Sequence, residues 1–182
     1  MLQYDLVNIL LDVLIKDGLV DACFLKGSLA RGEEDEYSDV DFYCIVSQKN
    51  MEKFLKRRRT FLQAYKPIVY YTEVNFVGPQ IVCIYDNGLH LDFYTTTLDE
   101  INHYDKILPI YDPKGLLKTY QSDGLGYSPE DIGKIVSDYS FTAYYFAKAY
   151  KRKDTLFAFR LANNLHSNYI QLLRFFINPE KA

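Results

Sequence analysis

The chain has 182 residues, of which 48% are apolar, 25% charged and 16% aromatic; this supplies a packed core and excludes wholesale disorder. Net charge is −3 and the sequence pI about 5.6, so the basic footprint of a nucleic-acid-binding protein is missing and nucleic acid is not an expected partner. No apolar stretch approaches the ~20 residues of a membrane helix, and Cys23, Cys44 and Cys83 sit in separate apolar runs without zinc spacing; a cytoplasmic protein with buried free thiols and no membrane partner is expected.

Leu2, Leu6, Ile9, Leu10, Val13 and Leu14 recur at helical spacing, with Gly18 as the stop. Asp5, Asp12 and Lys16 interrupt that apolar run, and no basic start or small-residue cleavage site accompanies it, so it reads as a core helix and not a signal peptide. Residues 22–26 form a short buried strand that ends at a glycine. The polar, acidic stretch 27–38 is loop or short helix, and 40–46 is a second strand with Asp39 and Asp41 at its start. A helix is predicted over 52–65, with the basic run Lys56, Arg57, Arg58 and Arg59 on its solvated side. Pro67 opens a strand near 68–71, and residues 81–85 and 89–95 flank Asp86-Asn87-Gly88, a strong hairpin signal.

This order predicts an α/β (α+β) fold, a mixed β-sheet flanked by helices. A turn-rich linker follows Pro109. Ser128 then caps a helix with Pro129 in its first turn, and Asp154 caps a second one. Their apolar faces run from Ile132 through Phe146 to Tyr150 and from Phe157 through Leu165 to Phe176. The expected division is an α/β domain over 1–111 and a C-terminal helical domain over 112–182. Two short helices cannot bury all those aromatic side chains between themselves, so a homodimer is expected.

The informative segment runs from Lys26-Gly27-Ser28 through Ala30-Arg31-Gly32 to Ser38-Asp39-Val40-Asp41. Asp39 and Asp41, two apart on a strand, project their carboxylates from one face. Two like charges held so close raise each other's pKa unless a cation lies between them, and an oxygen-only pair suits Mg²⁺. Gly27-Ser28 directly after a strand lets the backbone approach a phosphate, with amides and the Ser28 hydroxyl as donors and Arg31 one helical turn on. Together these residues fit a metal–triphosphate complex.

Gly-Ser, a spacer and Asp-x-Asp resemble the signature of the DNA polymerase beta-type nucleotidyltransferase superfamily. Within it, Tyr37-Ser38-Asp39-Val40-Asp41-Phe42-Tyr43 and the helical C-terminal segment are most similar to the lincosamide nucleotidyltransferases. The resemblance implies an enzyme that moves a nucleoside monophosphate, AMP as the first expectation, from ATP or another nucleoside triphosphate to a hydroxyl of a small molecule such as an antibiotic. Gly27, Ser28 and Arg31 would hold phosphates, and Asp39, Asp41 and a third carboxylate would bind two Mg²⁺ ions.

Candidates for that third carboxylate are Glu73, near a loop, Asp86, in the hairpin turn, and Asp92. Asp92 is favoured because it lies mid-strand, with Leu91 and Phe93 toward the core and itself on the opposite face with His90 and Tyr94; it would also deprotonate the acceptor. His90, His103 and His166 have no metal spacing and read as structural. From Lys148 onward seven bases stand against Asp154 and Glu180, which makes Lys148 a further phosphate candidate, while Tyr144 and Tyr145 are candidates to stack a base. Alternative readings are a protein-modifying nucleotidyltransferase of the antitoxin type, an RNA-modifying transferase and a non-catalytic nucleotide-binding regulator.

Overall fold

A computed structural model describes residues 1–75, 78–124 and 126–177; Glu180 and Lys181 of the C-terminal charge pattern lie outside the described residues. Its contacts divide the chain into two compact units, Met1–Asp123 and Gly124–Ala182. The α/β architecture expected from the sequence is the one observed.

In the first unit, helix α1 (Leu2–Asp17) buries Leu6, Leu10 and Leu14, and stops where Gly18, at φ 70°, turns its N–H back to the Leu14 carbonyl. Strands β1 (Val20–Leu25) and β2 (Val40–Val46) are separated by the short helix α2 (Gly27–Arg31). Helix α3 (Gln48–Leu62) precedes β3 (Ile68–Asn75), β4 (Pro79–Tyr85) and β5 (His90–Thr96). The strands form one sheet in the order β3-β4-β5-β2-β1 with a sixth strand, β6 (Leu108–Tyr111), at the far edge. Among the described strands only β2 and β5 run parallel, and they lie side by side at the middle of the sheet.

One face of the sheet packs against α1 and α3. There Phe42, Phe93, Leu91, Leu25 and Cys44 meet Leu6, Leu10, Phe54 and Phe61 in the main core. The other face has a smaller core in which Leu117, with Leu116, Ile101 and Ile107, covers Phe24, Ile45 and Tyr43. All three cysteines are free and buried, as expected.

Three sequence expectations need correction. β6 falls where the sequence reads as the approach to a linker: its Pro109 lacks a donor, but an edge strand does not need one on its outer side. The basic run of α3 is not wholly solvated either. Arg58 is buried and donates to Glu73 at 3.0 Å, while Arg57 pairs with Asp17 at 2.5 Å. The helix also begins at Gln48 and ends at Leu62, earlier at both ends than its apolar periodicity indicated.

The second unit is a helical hairpin. α4 (Pro129–Lys151) begins at a capping box: the Ser128 hydroxyl accepts from the Asp131 amide, and the Asp131 carboxylate accepts from the Ser128 amide. α5 (Thr155–Ile177) begins where Asp154 Oδ1 accepts from the Phe157 amide at 3.2 Å. The hairpin buries Ala149, Ala158 and Leu161, with Phe146 and Phe157 packed on them. No helix among the described residues is long and apolar enough to cross a membrane.

Candidate active site

Asp41 is the second residue of β2, with Val40 and Phe42 fully buried on the core face and Asp41 half-buried on the other. Parallel pairing sets it directly beside Asp92 of β5, whose neighbours Leu91 and Phe93 are likewise fully buried. Asp39 precedes β2 on the same side as Asp41. Its loop is fixed from α1, where the buried Gln3 amide donates to the carbonyls of Asp35 and Ser38 at 3.0 and 2.9 Å. Within that loop the Ser38 hydroxyl donates to Asp35 at 3.0 Å.

Gly27 stands against this pair. It has φ +65°, and a Cβ added there would lie 2.1 Å from Asp41 Oδ2. The preceding amide, of Lys26, donates to the Asp41 carbonyl at 3.1 Å, tying the Gly27-Ser28 turn to the start of β2. Gly27→Ala therefore combines left-handed backbone strain with a collision against a carboxylate held in the sheet. Expected results are a loss of about 1–3 kcal/mol in stability by chemical denaturation and a fall in turnover larger than the stability loss explains.

The electrostatics of the cluster follow from its crowding. Burial, and then the nearby charges of Asp39, Asp92 and Asp105, push the Asp41 carboxyl up from 3.8 to about 6. Tyr94, stacked on Tyr43 at 4.2 Å on the same sheet face, is pushed up to about 12, chiefly by burial. Asp92 Oδ1 accepts from the buried Gln80 amide of β4 at 2.8 Å, which fixes its rotamer. His90, at the start of β5, lies between two carboxylates, with Nδ1 3.7 Å from Asp39 and Nε2 3.6 Å from Asp92.

Arg31, at the end of α2, donates to Asp105 at 2.6 Å and to Glu33 at 3.1 Å. Asp105 is held in turn: the Tyr120 hydroxyl donates to its carbonyl at 2.5 Å and to that of Asn102 at 3.1 Å. Lys26, buried beside the turn, donates to the Asn102 carbonyl and side-chain oxygen at 2.9 and 2.6 Å, and burial lowers its pKa.

The other carboxylate candidates separate cleanly. Glu73 pairs through Ile81 with Phe93, which puts it on the α3 face of the sheet, opposite Asp92, where it binds Arg58 and Tyr71. Asp86 is exposed in the β4–β5 turn. Lys148 lies in the second unit, its ammonium over the rings of Tyr144 and Tyr145 at 5.2 and 5.5 Å. The arrangement thus brings together Gly27, Asp39, Asp41 and Asp92, with Ser28 and Arg31 on the adjoining turn. It adds His90, which the sequence reads as structural, together with Gln80, Lys26 and Asp105, to which the sequence assigns no role. Lys26, directly before Gly27 at a strand end, carried a positional hint; Gln80 and Asp105 carried none.

The donor set also bears on a metal. Asp39, His90 and Asp92 each offer a ligand atom, and these lie within 4.8 Å of one another. Beside them the Asp41 carboxyl is so crowded by negative charge that a cation would relieve it. Both features fit a divalent ion held by carboxylate oxygens with an imidazole nitrogen beside them.

A mixed sheet with helices on one face thus carries two register-paired carboxylates on its central parallel strands and a glycine turn pressed against them. The family model of the nucleotidyltransferase domain matches residues 7–102, and the chain belongs to that family. Among solved structures the chain is similar to an aminoglycoside 6-adenyltransferase from Bacillus subtilis, at 13% identity and a TM-score of 0.39, covering 95% of this chain. It spans 65% of the length of that protein. No curated protein sequence matches the chain.

Proposed function

We propose that the enzyme transfers a nucleoside monophosphate, AMP from ATP as the expected donor, to a hydroxyl of a small molecule such as an antibiotic, as the lincosamide nucleotidyltransferases do. The observation that carries this reading is the side-by-side register of Asp41 and Asp92 beside Asp39 and the Gly27 turn. Asp39 and Asp41, with Asp92, would hold Mg²⁺, two ions when nucleotide is present. Bound there, the metal supplies charge stabilisation for the attacking and leaving oxygens.

The chain's own groups do the rest. Gly27 and Ser28 donate to phosphate oxygens, and Arg31 exchanges part of its contact with Asp105 for the triphosphate. Asp92, fixed by Gln80, takes the proton of the acceptor hydroxyl. The acceptor oxygen then attacks the α-phosphorus in line, its new P–O bond forming as the bond to the departing pyrophosphate breaks.

Mass spectrometry of a panel of hydroxylated antibiotics incubated with enzyme, ATP and Mg²⁺ tests the acceptor class. At least one compound is expected to gain one nucleoside monophosphate; a panel that stays unmodified while other acceptors are labelled would overturn it. A homodimer belongs to the same proposal, supported by Phe141, Phe159 and Phe176 of the hairpin, which remain 64%, 67% and 76% exposed. Light scattering at tens of micromolar is expected to give twice the chain mass, and a monomer there removes the dimer from the proposal.

A further inference from the structure

We propose that His90 is itself a metal ligand, and that its imidazole makes the carboxylate site prefer Mn²⁺ over Mg²⁺. The inference rests on the reading of Asp39 and Asp92 as residues that hold a divalent ion.

Position comes first. His90 opens β5 two residues before Asp92, so alternation along the strand puts both side chains on the same sheet face. The ring sits between the two carboxylates, with Nε2 3.6 Å from Asp92 Oδ1 and Nδ1 3.7 Å from Asp39 Oδ2. Both distances are too long for hydrogen bonds. The Nε2–Asp92 distance falls between the ~3 Å of adjacent and the ~4.2 Å of opposite ligands of one octahedral ion with metal–donor bonds near ~2.1 Å, so a small adjustment brings both atoms onto it.

Satisfaction is the second observation. His90 Nε2 is shielded from solvent and has no hydrogen-bond partner. A buried ring nitrogen without a partner costs free energy, and a cation shared with Asp92 would satisfy it. Nδ1, facing Asp39, is the natural site for the ring proton, which leaves the Nε2 lone pair to the metal. Gln80 steadies Asp92 from the other side, so the pair of donors is held and not merely adjacent.

The donor set then determines the preference. Mg²⁺ is a hard ion that seeks oxygen and keeps its waters, whereas later divalent ions gain from an imidazole. Mn²⁺ accepts carboxylates and the octahedral geometry that Mg²⁺ uses, and it tolerates nitrogen better. Replacing His90 therefore affects the two ions unequally.

Electron spin-echo envelope modulation of Mn²⁺ bound to the intact protein reads this without any turnover. Wild type is expected to bind Mn²⁺ and show nitrogen modulation from a directly coordinated imidazole, and ¹⁵N-histidine labelling should change its frequency. The modulation should vanish in His90→Gln and persist in His166→Gln, which alters an exposed helical histidine. Calorimetry should show Mn²⁺ affinity falling at least about ten-fold in His90→Gln, with Mg²⁺ affinity changing less than about three-fold. Bound Mn²⁺ without nitrogen modulation would overturn the His90 assignment and leave the carboxylate metal site standing. Failure of wild type to bind either ion, with or without nucleotide, would overturn both.

Discussion

Asp39→Asn and Asp41→Asn are each expected to reduce nucleotidyl transfer by about two to three orders of magnitude while the protein stays folded. Each substitution keeps the side chain's shape and removes one charge from the proposed metal site, and loss of a few kcal/mol of charge stabilisation in the transition state corresponds to that factor. Folding should be spared because these carboxylates oppose each other. For Asp41 the sign can be worked out. Its folded pKa, about 6, lies above the ordinary 3.8 of the unfolded chain, so the folded state holds the proton to higher pH. Stability therefore falls as pH rises from about 4 to about 6 and stays lower above that, by about 2–3 kcal/mol for a shift of this size. Asp41→Asn removes this dependence. Denaturant titrations should find the variant more stable than the parent at pH 7.5 and near-equal to it at pH 4, without added metal. Wild-type turnover in both variants would remove Asp39 and Asp41 from the metal site.

Asp92→Asn should act mainly on the chemical step. A hydroxyl is a poor nucleophile until its proton is withdrawn, and a positioned base contributes about 10²–10⁴-fold. Gln80 can still hydrogen-bond to the substituted side chain, so the local geometry should survive. The expected result is a kcat lowered by two or more orders of magnitude, a much larger change than the rise in the dissociation constant for the metal–nucleotide complex that follows from losing one of several ligands. Glu73→Gln is the informative control. Glu73 faces α3 and neutralises the buried Arg58, so its loss should lower stability mildly and leave kcat close to wild type. An inactive Glu73→Gln beside an active Asp92→Asn would place the base on the wrong strand.

The candidate site residues that are legible in sequence share a feature: their arrangement is encoded in local spacing. Gly27-Ser28 at a strand end and Asp39-x-Asp41 at a strand start announce themselves within fifteen positions. Asp92 stands out by alternation, because Leu91 and Phe93 are strongly apolar and commit their shared face to the core. What stayed hidden depends on contacts between distant segments. Arg58 looks like its basic neighbours on α3, and only the packing of β3 shows that it turns inward to Glu73. His90 carries no ligand spacing because its partners come from its own strand and from the loop before β2. β6 was obscured by Pro109, a residue that normally argues against a strand and is acceptable here only because the strand is an edge. Asp105 meets the site through a loop whose course no periodicity records.

Nucleotidyl transfer through Asp39, Asp41 and Asp92 is tested most directly by following both ends of the triphosphate at once. Wild type and the three Asp→Asn variants would be incubated with ATP labelled at the α-phosphorus, Mg²⁺ and an acceptor identified by the mass-spectrometric screen. Wild type should place the α-label on the acceptor and release an equal amount of pyrophosphate, and the variants should do neither at a comparable rate. Label that remains in ADP while inorganic phosphate accumulates, or equal transfer by wild type and all three variants, would contradict it.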